Sequence, residues 1–377
     1  MKLIGQIRNI TQNESKNLED TMKKSIIGVL TALMMTTLLA GCGSGGGTGT
    51  TEPGGSQPAG GTTYNWRFAH EENNGSIQDV YVKQFVEKLK EKSDGAINVD
   101  IYPVGQIGDA TQQAELLQNG GLEFAIISPG NTGTLVPENQ LFSLHFLLSE
   151  DMDKNMELFK TSKALNEKLS AKYLERNIKV LSYWTEGTQE WTTTKPVNTP
   201  DGFKGLKMRT MPSPMIVASY EAYGANPTPM PYMEVYSGLQ LKMIEGQENP
   251  ISAIEEMKFY EVQDYLTLAS ASHYVTTTAV NPTFFDGLPE DIQQIILDTV
   301  EEMRPESLKI QDDLNGGALA KIEEVSDIEV VRLTAEEREM FKAASQPAYD
   351  KYLEIGGAGA EEILTLLQEE VAALEGN

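Results

Sequence analysis

Strand patterns and helix patterns alternate at short intervals over residues 65–127, and this alternation limits the fold more than any other feature of the chain. Apolar side chains recur at every third or fourth position over 77–92, which predicts an amphipathic helix. Asp109 can cap a second helix that ends near residue 118. Strands that alternate with helices in this way predict βαβ units on a parallel sheet, and therefore an α/β fold. The predicted strands of this region are 65–69, 96–102 and 124–127.

The rest of the chain predicts a second set of strands and helices. Helical spacing covers 152–176, and Pro289 suits the first turn of a later helix. Further strands are predicted at 179–183 and 207–209. With 377 residues the chain is too long for one simple core, so we expect two lobes with a ligand cleft between them. Such a clamshell closes by a hinge motion.

The composition excludes several classes of function. A formal net charge of −25 repels phosphate backbones, which argues against nucleic-acid binding. The only cysteine is Cys42, and the three histidines stand far apart without metal-ligand spacing, so we expect no disulfide within the chain, no metal and no cofactor. The folded part also lacks HExxH and GxSxG motifs, and we expect no enzymatic activity. An acidic protein that binds an anion needs a local positive group.

The N-terminal region indicates export. Lys23 and Lys24 precede an uncharged, mostly apolar run over 26–40, and Leu-Ala-Gly-Cys follows, with the cysteine at Cys42. A basic start, a short apolar stretch and small residues are typical of a secretory signal, and the last four residues resemble the lipobox of bacterial lipoproteins. An ordinary signal peptide or a transmembrane helix is the alternative, although the run is short for a bilayer span.

These features predict an extracytoplasmic protein that is anchored to the membrane by a lipid on Cys42. Residues 1–21 are interpreted as an upstream extension or a long basic region, so translation could start at Met1 or at Met22. Residues 43–61 are a tract of Gly, Ser, Thr and Pro, which predicts a flexible tether between the lipid and the folded body.

Five ordered blocks stand out in the middle of the chain: GLKMR at 205–209, GANPTPM at 224–230, EVYSGLQ at 234–240, EGQENP at 245–250 and KFYEVQ at 258–263. Together they resemble the signature of the DctP family, the substrate-binding subunits of TRAP (tripartite ATP-independent periplasmic) transporters. The resemblance covers about residues 64–345 and implies a two-lobed binding protein with a long bracing helix. Pro305 would bend or split that helix.

The resemblance implies the ligand-binding residues. Arg209 occupies the position whose guanidinium forms a salt bridge with a ligand carboxylate, and a guanidinium suits that task because its planar fork makes two parallel hydrogen bonds. Asn249 corresponds to an asparagine that lines the same cleft, although Asn-Pro is also a common turn. Tyr232 matches an aromatic position beside the ligand, with ordinary core packing as the alternative. His70 lies at the end of the first strand and is either a ligand contact or a structural histidine.

One position departs from the family pattern. Many members carry a second arginine in a G-x-R segment, where this chain has Gln189. A second ligand carboxylate would lack a partner there, so a monocarboxylate such as a sugar acid fits better, and a C4-dicarboxylate is the alternative ligand. Trp184 and Trp191 flank this segment and could contact a ring of the ligand or belong to the core.

The sequence therefore predicts a binding subunit that captures a small organic acid and delivers it to the membrane permease. A lipoprotein that senses its ligand and presents its closed form to a receptor is the alternative. We expect the first lobe to comprise 62–186 with 275–314, and the second 187–274 with 315–377.

Overall fold

The computed structural model describes residues 62–376, so the signal sequence, Cys42 and the tether lie outside the described residues. The strands are β1 Tyr64–Ala69, β2 Ile97–Tyr102, β3 Phe124–Ile127, β4 Lys179–Thr193, β5 Lys207–Thr210, β6 Asn226–Pro229, β7 Gly246–Asn249, β8 Tyr265–Val280 and β9 Glu329–Arg332. The helices are α1 Ile77–Lys92, α2 Ala110–Gln118, α3 Pro129–Thr132, α4 Met152–Thr161, α5 Ser170–Glu175, α6 Pro214–Ala222, α7 Val235–Gln240, α8 Ile251–Glu256, α9 Pro282–Asp286, α10 Glu290–Val325, α11 Ala335–Ile355 and α12 Ala360–Glu375.

All nine strands belong to one mixed sheet. Eight of them follow the order β2-β1-β3-β8-β4-β7-β5-β6, and β9 pairs with β8. The pairs β1–β2, β1–β3, β5–β6 and β5–β7 are parallel, as the βαβ pattern predicts. The pairs that β4 and β8 make with each other and with β3 and β7 are antiparallel. The predicted parallel βαβ units are therefore present in both halves, and two long antiparallel strands connect these halves in the middle of the sheet.

The two central strands are much longer than the sequence predicts. Strand β4 has 15 residues and β8 has 16, whereas the strand pattern in the sequence stops at residue 183. Their pairing is irregular between Thr185 and Thr188 and again between Gln189 and Trp191. The expected lobe boundary between residues 186 and 187 falls within the irregular pairing between Thr185 and Thr188.

Capping explains where the early helices begin. The Ser76 side chain accepts from the backbone N–H of Asp79 at the start of α1, and α1 has the predicted bounds. Asp109 and Gln112 form a reciprocal capping box at the start of α2, which confirms the predicted cap. The helix predicted over 152–176 is interrupted, because Ser162 ends α4 in an extended conformation and a π-helical segment precedes α5.

The long helix α10 connects the two halves of the fold. It is continuous over 36 residues with Pro305 inside it, so Pro305 does not split it. Its first part, including Ile296 and Ile310, packs in the hydrophobic cluster around β1 and α1. Its last part, including Ala318 and Ile322, packs in the cluster around α7 and α8. One helix therefore braces both halves, as in the two-lobed fold that the resemblance implies.

The C-terminal residues 315–377, which the sequence predicts in the second lobe, pack against both halves of the sheet. Ile322 of α10 and Phe341 of α11 belong to buried clusters of the β5–β7 half. Tyr352 of α11 and Leu367 of α12 belong to the same buried cluster as Ile127 of β3. No helix within residues 62–376 is long and apolar enough to cross a membrane.

Candidate ligand-binding site

A cavity of ligand size lies at the carboxyl ends of the parallel strands of both halves. Its volume is about 570 Å³, which is within the range of small-molecule sites. Strand β1 leads into Glu71 and Glu72, β5 supplies Arg209, and the last residue of β7 is Asn249; all four line the cavity. Loops at the carboxyl ends of parallel strands are where α/β folds usually bind ligands. The fold thus brings residues that are far apart in sequence to one cleft.

Arg209 is the positive group of this cavity. The side chain is only 2% exposed, and its Nε donates a hydrogen bond to the Met230 carbonyl oxygen at 3.0 Å. Within residues 62–376 Arg209 makes no salt bridge, although Tyr274 and Glu248 lie near enough to act on its pKa in the opposite direction to burial, which has the larger effect. Burial lowers the pKa of Arg209 to about 10, so the guanidinium stays charged at neutral pH. A buried cation without an anionic partner is costly, and a ligand carboxylate would relieve that cost.

Asn249 and Tyr232 also reach the cavity. The Asn249 amide donates to the side-chain oxygen of Gln247, which orients it. Tyr232 is half-buried and lines the same cavity, and its hydroxyl is buried without a hydrogen-bond partner among the described residues. The three residues that the family resemblance implies most directly therefore line one cavity, although they lie far apart in the sequence.

Two adjacent carboxyl groups, Glu71 and Glu72, are the main feature that the sequence reasoning missed. Glu71 accepts a hydrogen bond from the Ser128 backbone N–H at 3.0 Å, and the Tyr274 hydroxyl donates to it at 3.5 Å. Burial raises the pKa of Glu71 to about 7 and also raises the pKa of Glu72. Their position directly after the first strand was a usable signal, because polar residues at the carboxyl end of a buried strand face the cleft.

His70 and Gln189 do not line the cavity. His70 is fully buried, with its Nε2 atom 3.5 Å from Oδ1 of Asp79, and burial lowers its pKa to about 4. Gln189 lies beside a separate small cavity of about 20 Å³, where its amide donates to the Ser272 hydroxyl at 3.3 Å. The structure therefore favours the structural reading of His70 and moves Gln189 away from the main cavity.

Neither tryptophan reaches the cavity. The Trp184 ring stacks on Tyr81 with ring centroids 4.4 Å apart and an angle of 15° between the planes. Trp191 packs between Phe203 and Phe341 at centroid distances of 4.8 and 4.9 Å. Both belong to hydrophobic clusters, which is the core alternative that the sequence left open.

Proteins with known ligands resemble this chain over most of its length. The ectoine-binding periplasmic protein TeaA of Halomonas elongata is 36% identical over 82% of this chain and 91% of its own sequence. UehA of Ruegeria pomeroyi, an ectoine/5-hydroxyectoine-binding periplasmic protein, is 37% identical over the same shares of the two chains. Both relatives are ectoine-binding proteins by name, and both match this chain over more than four-fifths of its length.

Solved structures agree with the sequence comparison. The structure of the Halomonas elongata ectoine-binding protein superposes with a TM-score of 0.79 and covers 82% of this chain and 99% of its own. A TRAP solute-binding protein of Desulfovibrio salexigens with bound orotic acid gives the same TM-score at 29% identity, over 83% of this chain and 100% of its own.

The family model for bacterial extracellular solute-binding proteins of family 7, DctP, matches residues 68–355. That range includes the cavity, both halves of the sheet and all five sequence blocks. The chain belongs to the DctP family and is the extracytoplasmic substrate-binding subunit of a TRAP transporter.

Proposed function

We propose that this protein captures a small monocarboxylate in the cavity around Arg209 and delivers it to the membrane subunits of its transporter. The observation that carries the proposal is a buried guanidinium that makes no salt bridge within residues 62–376 and faces a cavity of ligand size. A carboxylate is the natural partner, because it accepts two parallel hydrogen bonds from the guanidinium fork. Closure of the lobes would exclude water and strengthen this pair.

The carboxyl groups opposite Arg209 narrow the ligand class further. Glu71 and Glu72 line the same cavity, so a ligand with a cationic group next to its carboxylate would meet a complementary charge at both ends. Ectoine is such a zwitterion, with one carboxylate and one cyclic amidinium. The names of TeaA and UehA support the same choice. We therefore propose ectoine or 5-hydroxyectoine ahead of a sugar acid. A C4-dicarboxylate would bring its second negative charge towards two glutamates.

A thermal-shift screen tests the ligand class. We expect ectoine or 5-hydroxyectoine at millimolar concentration to raise the melting temperature, because a ligand that binds only the folded state stabilises it by mass action. Galactonate, glucuronate, succinate and orotate cover the other acids, and neutral sugars serve as controls. A shift with sugar acids alone would replace ectoine while keeping the Arg209 anchor. Shifts with neutral sugars alone, or with no compound, would contradict the proposal.

Anchoring through Cys42 is proposed from the sequence. The Leu-Ala-Gly-Cys segment and the tether that follows it support a lipid-modified N-terminus that holds the folded body near the permease. We expect wild-type protein in the membrane fraction and Cys42→Ser protein outside it, because one acylated cysteine supplies the whole attachment. Mass spectrometry of the N-terminal peptide checks the modification, and equal membrane recovery of both proteins would contradict the anchor. A permease gene beside this one would favour transport, and a histidine-kinase gene would favour sensing.

A further inference from the structure

Behind Glu72, a second buried carboxyl group completes a pair. Glu186 of β4 does not line the cavity, but Gln78 holds both carboxyl groups: its side-chain amide donates to Glu186 at 2.8 Å and its backbone N–H donates to Glu72 at 3.5 Å. The two carboxyl groups lie within hydrogen-bonding reach of each other. Both glutamates are at most 5% exposed. Ionised carboxylates only accept hydrogen bonds, so two of them can bond to each other only if one carries a proton.

The groups around the pair are mostly acidic. Glu71 is adjacent in the chain, and Glu256 at the end of α8 lies near enough to interact electrostatically. Asp79 of α1 faces the same region but is already paired with Lys83 at 2.6 Å. The remaining groups that face the pair or its surroundings are His70, Tyr232, Tyr274 and, across the cavity, Arg209.

This surplus of negative charge favours a retained proton. Burial is the largest effect on both groups of the pair, and the neighbouring carboxylates act in the same direction on Glu186. The pKa of Glu186 is held well above its usual value, and burial raises the pKa of Glu256 to about 7. Lys83 is paired with Asp79 and Arg209 lies across the cavity, so the protein stabilises the pair by keeping it partly neutral.

We propose that Glu72 and Glu186 share one proton in the ligand-free protein, and that the cationic end of the ligand displaces it when the ligand binds. The carboxyl O–H bond breaks, the proton passes to a buffer base, and the ligand cation takes over the neutralisation of the pair. This inference rests on the proposed function, because it needs a ligand that carries a positive charge.

The direction of the pH dependence follows from this exchange. At a pH below the titration of the free pair, binding must expel the proton, so the affinity falls as the pH falls. Release of one proton corresponds to a tenfold change in Kd for each pH unit. Above the titration of the free pair no proton is left to expel, and the affinity becomes independent of pH. A neutral or purely anionic ligand would not release a proton from the pair.

Calorimetry with ectoine counts the protons directly. The binding enthalpy of the purified protein is measured at pH 7 in phosphate and in Tris, which differ in ionisation enthalpy, and the difference gives the number of protons released. Because Glu71 also lines the cavity and can release a proton in both proteins, the difference between them is decisive. We expect Glu186→Gln to release about one proton fewer than the wild type, because the glutamine amide donates to Glu72 and leaves it ionised. Ectoine binding without any buffer dependence in the wild type would overturn the shared proton but leave the proposed function intact.

Glu190→Gln is the matched control. Glu190 lies on the same strand and is also buried with a raised pKa, but its carboxylate accepts from the backbone N–H groups of Ala269 and Ser270 and does not line the cavity. We expect this variant to release the same number of protons as the wild type. Equal loss of proton release in both variants would show that the effect does not come from the Glu72–Glu186 pair, and would overturn the inference.

A second measurement needs no ligand. A carboxyl group whose pKa is raised in the folded state makes the protein less stable as the pH rises above the pKa of that group in the unfolded chain, near 4.5. A glutamine at the same position does not titrate and has no such effect. The ratio of the unfolding constants of wild type and Glu186→Gln should therefore increase up to tenfold per pH unit between pH 5 and pH 7. A ratio that stays constant over this range would overturn the shared proton. If ectoine and all other acids fail to bind, the proposed function fails, and this ratio alone decides the inference.

Discussion

Replacement of Arg209 by alanine is expected to weaken the binding of ectoine, or of whichever carboxylate the screen identifies, by about 30-fold to several thousandfold. Removal of one partner from a buried, hydrogen-bonded charge pair costs roughly 2–5 kcal/mol, and 1.4 kcal/mol corresponds to a factor of ten. The effect should be large because the guanidinium is buried and faces the cavity without a competing salt bridge in the described part of the chain. Isothermal titration calorimetry measures it.

Two further variants sharpen the Arg209 experiment. Arg209→Lys keeps the charge but loses the planar fork, so we expect an intermediate loss of affinity. Lys207→Ala removes an exposed cation two residues earlier on β5 and should leave the affinity unchanged, which controls for the overall charge of the protein. Wild-type affinity in the folded Arg209→Ala variant would show that Arg209 is not the anchor.

Replacement of Trp184 by alanine is expected to lower the free energy of unfolding by about 3–5 kcal/mol, as for other buried tryptophans truncated to alanine. The ring is 2% exposed and stacks on Tyr81, and its Nε1–H donates to the Thr278 hydroxyl at 3.1 Å. The substitution leaves a cavity in the core and removes one of the two partners of the Thr278 hydroxyl, which keeps its hydrogen bond with the Tyr81 hydroxyl at 2.8 Å. Urea denaturation of the ligand-free protein measures the loss.

The tryptophan experiment also separates core packing from ligand contact. Trp184→Phe retains most of the stacking on Tyr81, so its loss of stability should be smaller, and its affinity for ligand should equal that of the wild type. A fall in affinity without a fall in stability in Trp184→Phe would place this ring at the ligand after all. The two variants together therefore test whether Trp184 serves core packing, as its buried position indicates, or contacts the ligand.

The parts of the fold that sequence predicts well are those with local signals. Helix α1 and strand β3 have the predicted bounds, because apolar spacing and caps act within a few residues. Strand β4 continues ten residues past its predicted end at residue 183, through the polar segment TEGTQEWTT. These residues are buried by both halves of the molecule, so their side chains do not alternate between core and solvent. Periodicity cannot reveal a strand whose two faces are both covered.

The residues of the candidate site were likewise predictable only in part. The resemblance led to Arg209, Asn249 and Tyr232, and the structure brings all three to one cavity, where their binding roles remain to be tested. Glu71 and Glu72 were overlooked beside His70, because the sequence does not show which of several consecutive polar residues turns into the cleft. The three-dimensional path of the chain after β1 determines which of these residues face the cavity. It directs Glu71 and Glu72 into the cavity and buries His70 against Asp79.

The central strands have a consequence for folding. Strands β4 and β8 pair with each other along most of their length, and each contributes residues to both halves of the sheet. Each half therefore depends on strands that continue into the other, and no single cut in the chain would release an intact half. Helix α10 adds a second covalent and packed connection between them. The halves should consequently melt in one cooperative transition, so that a loss of stability on either side is shared by the whole molecule.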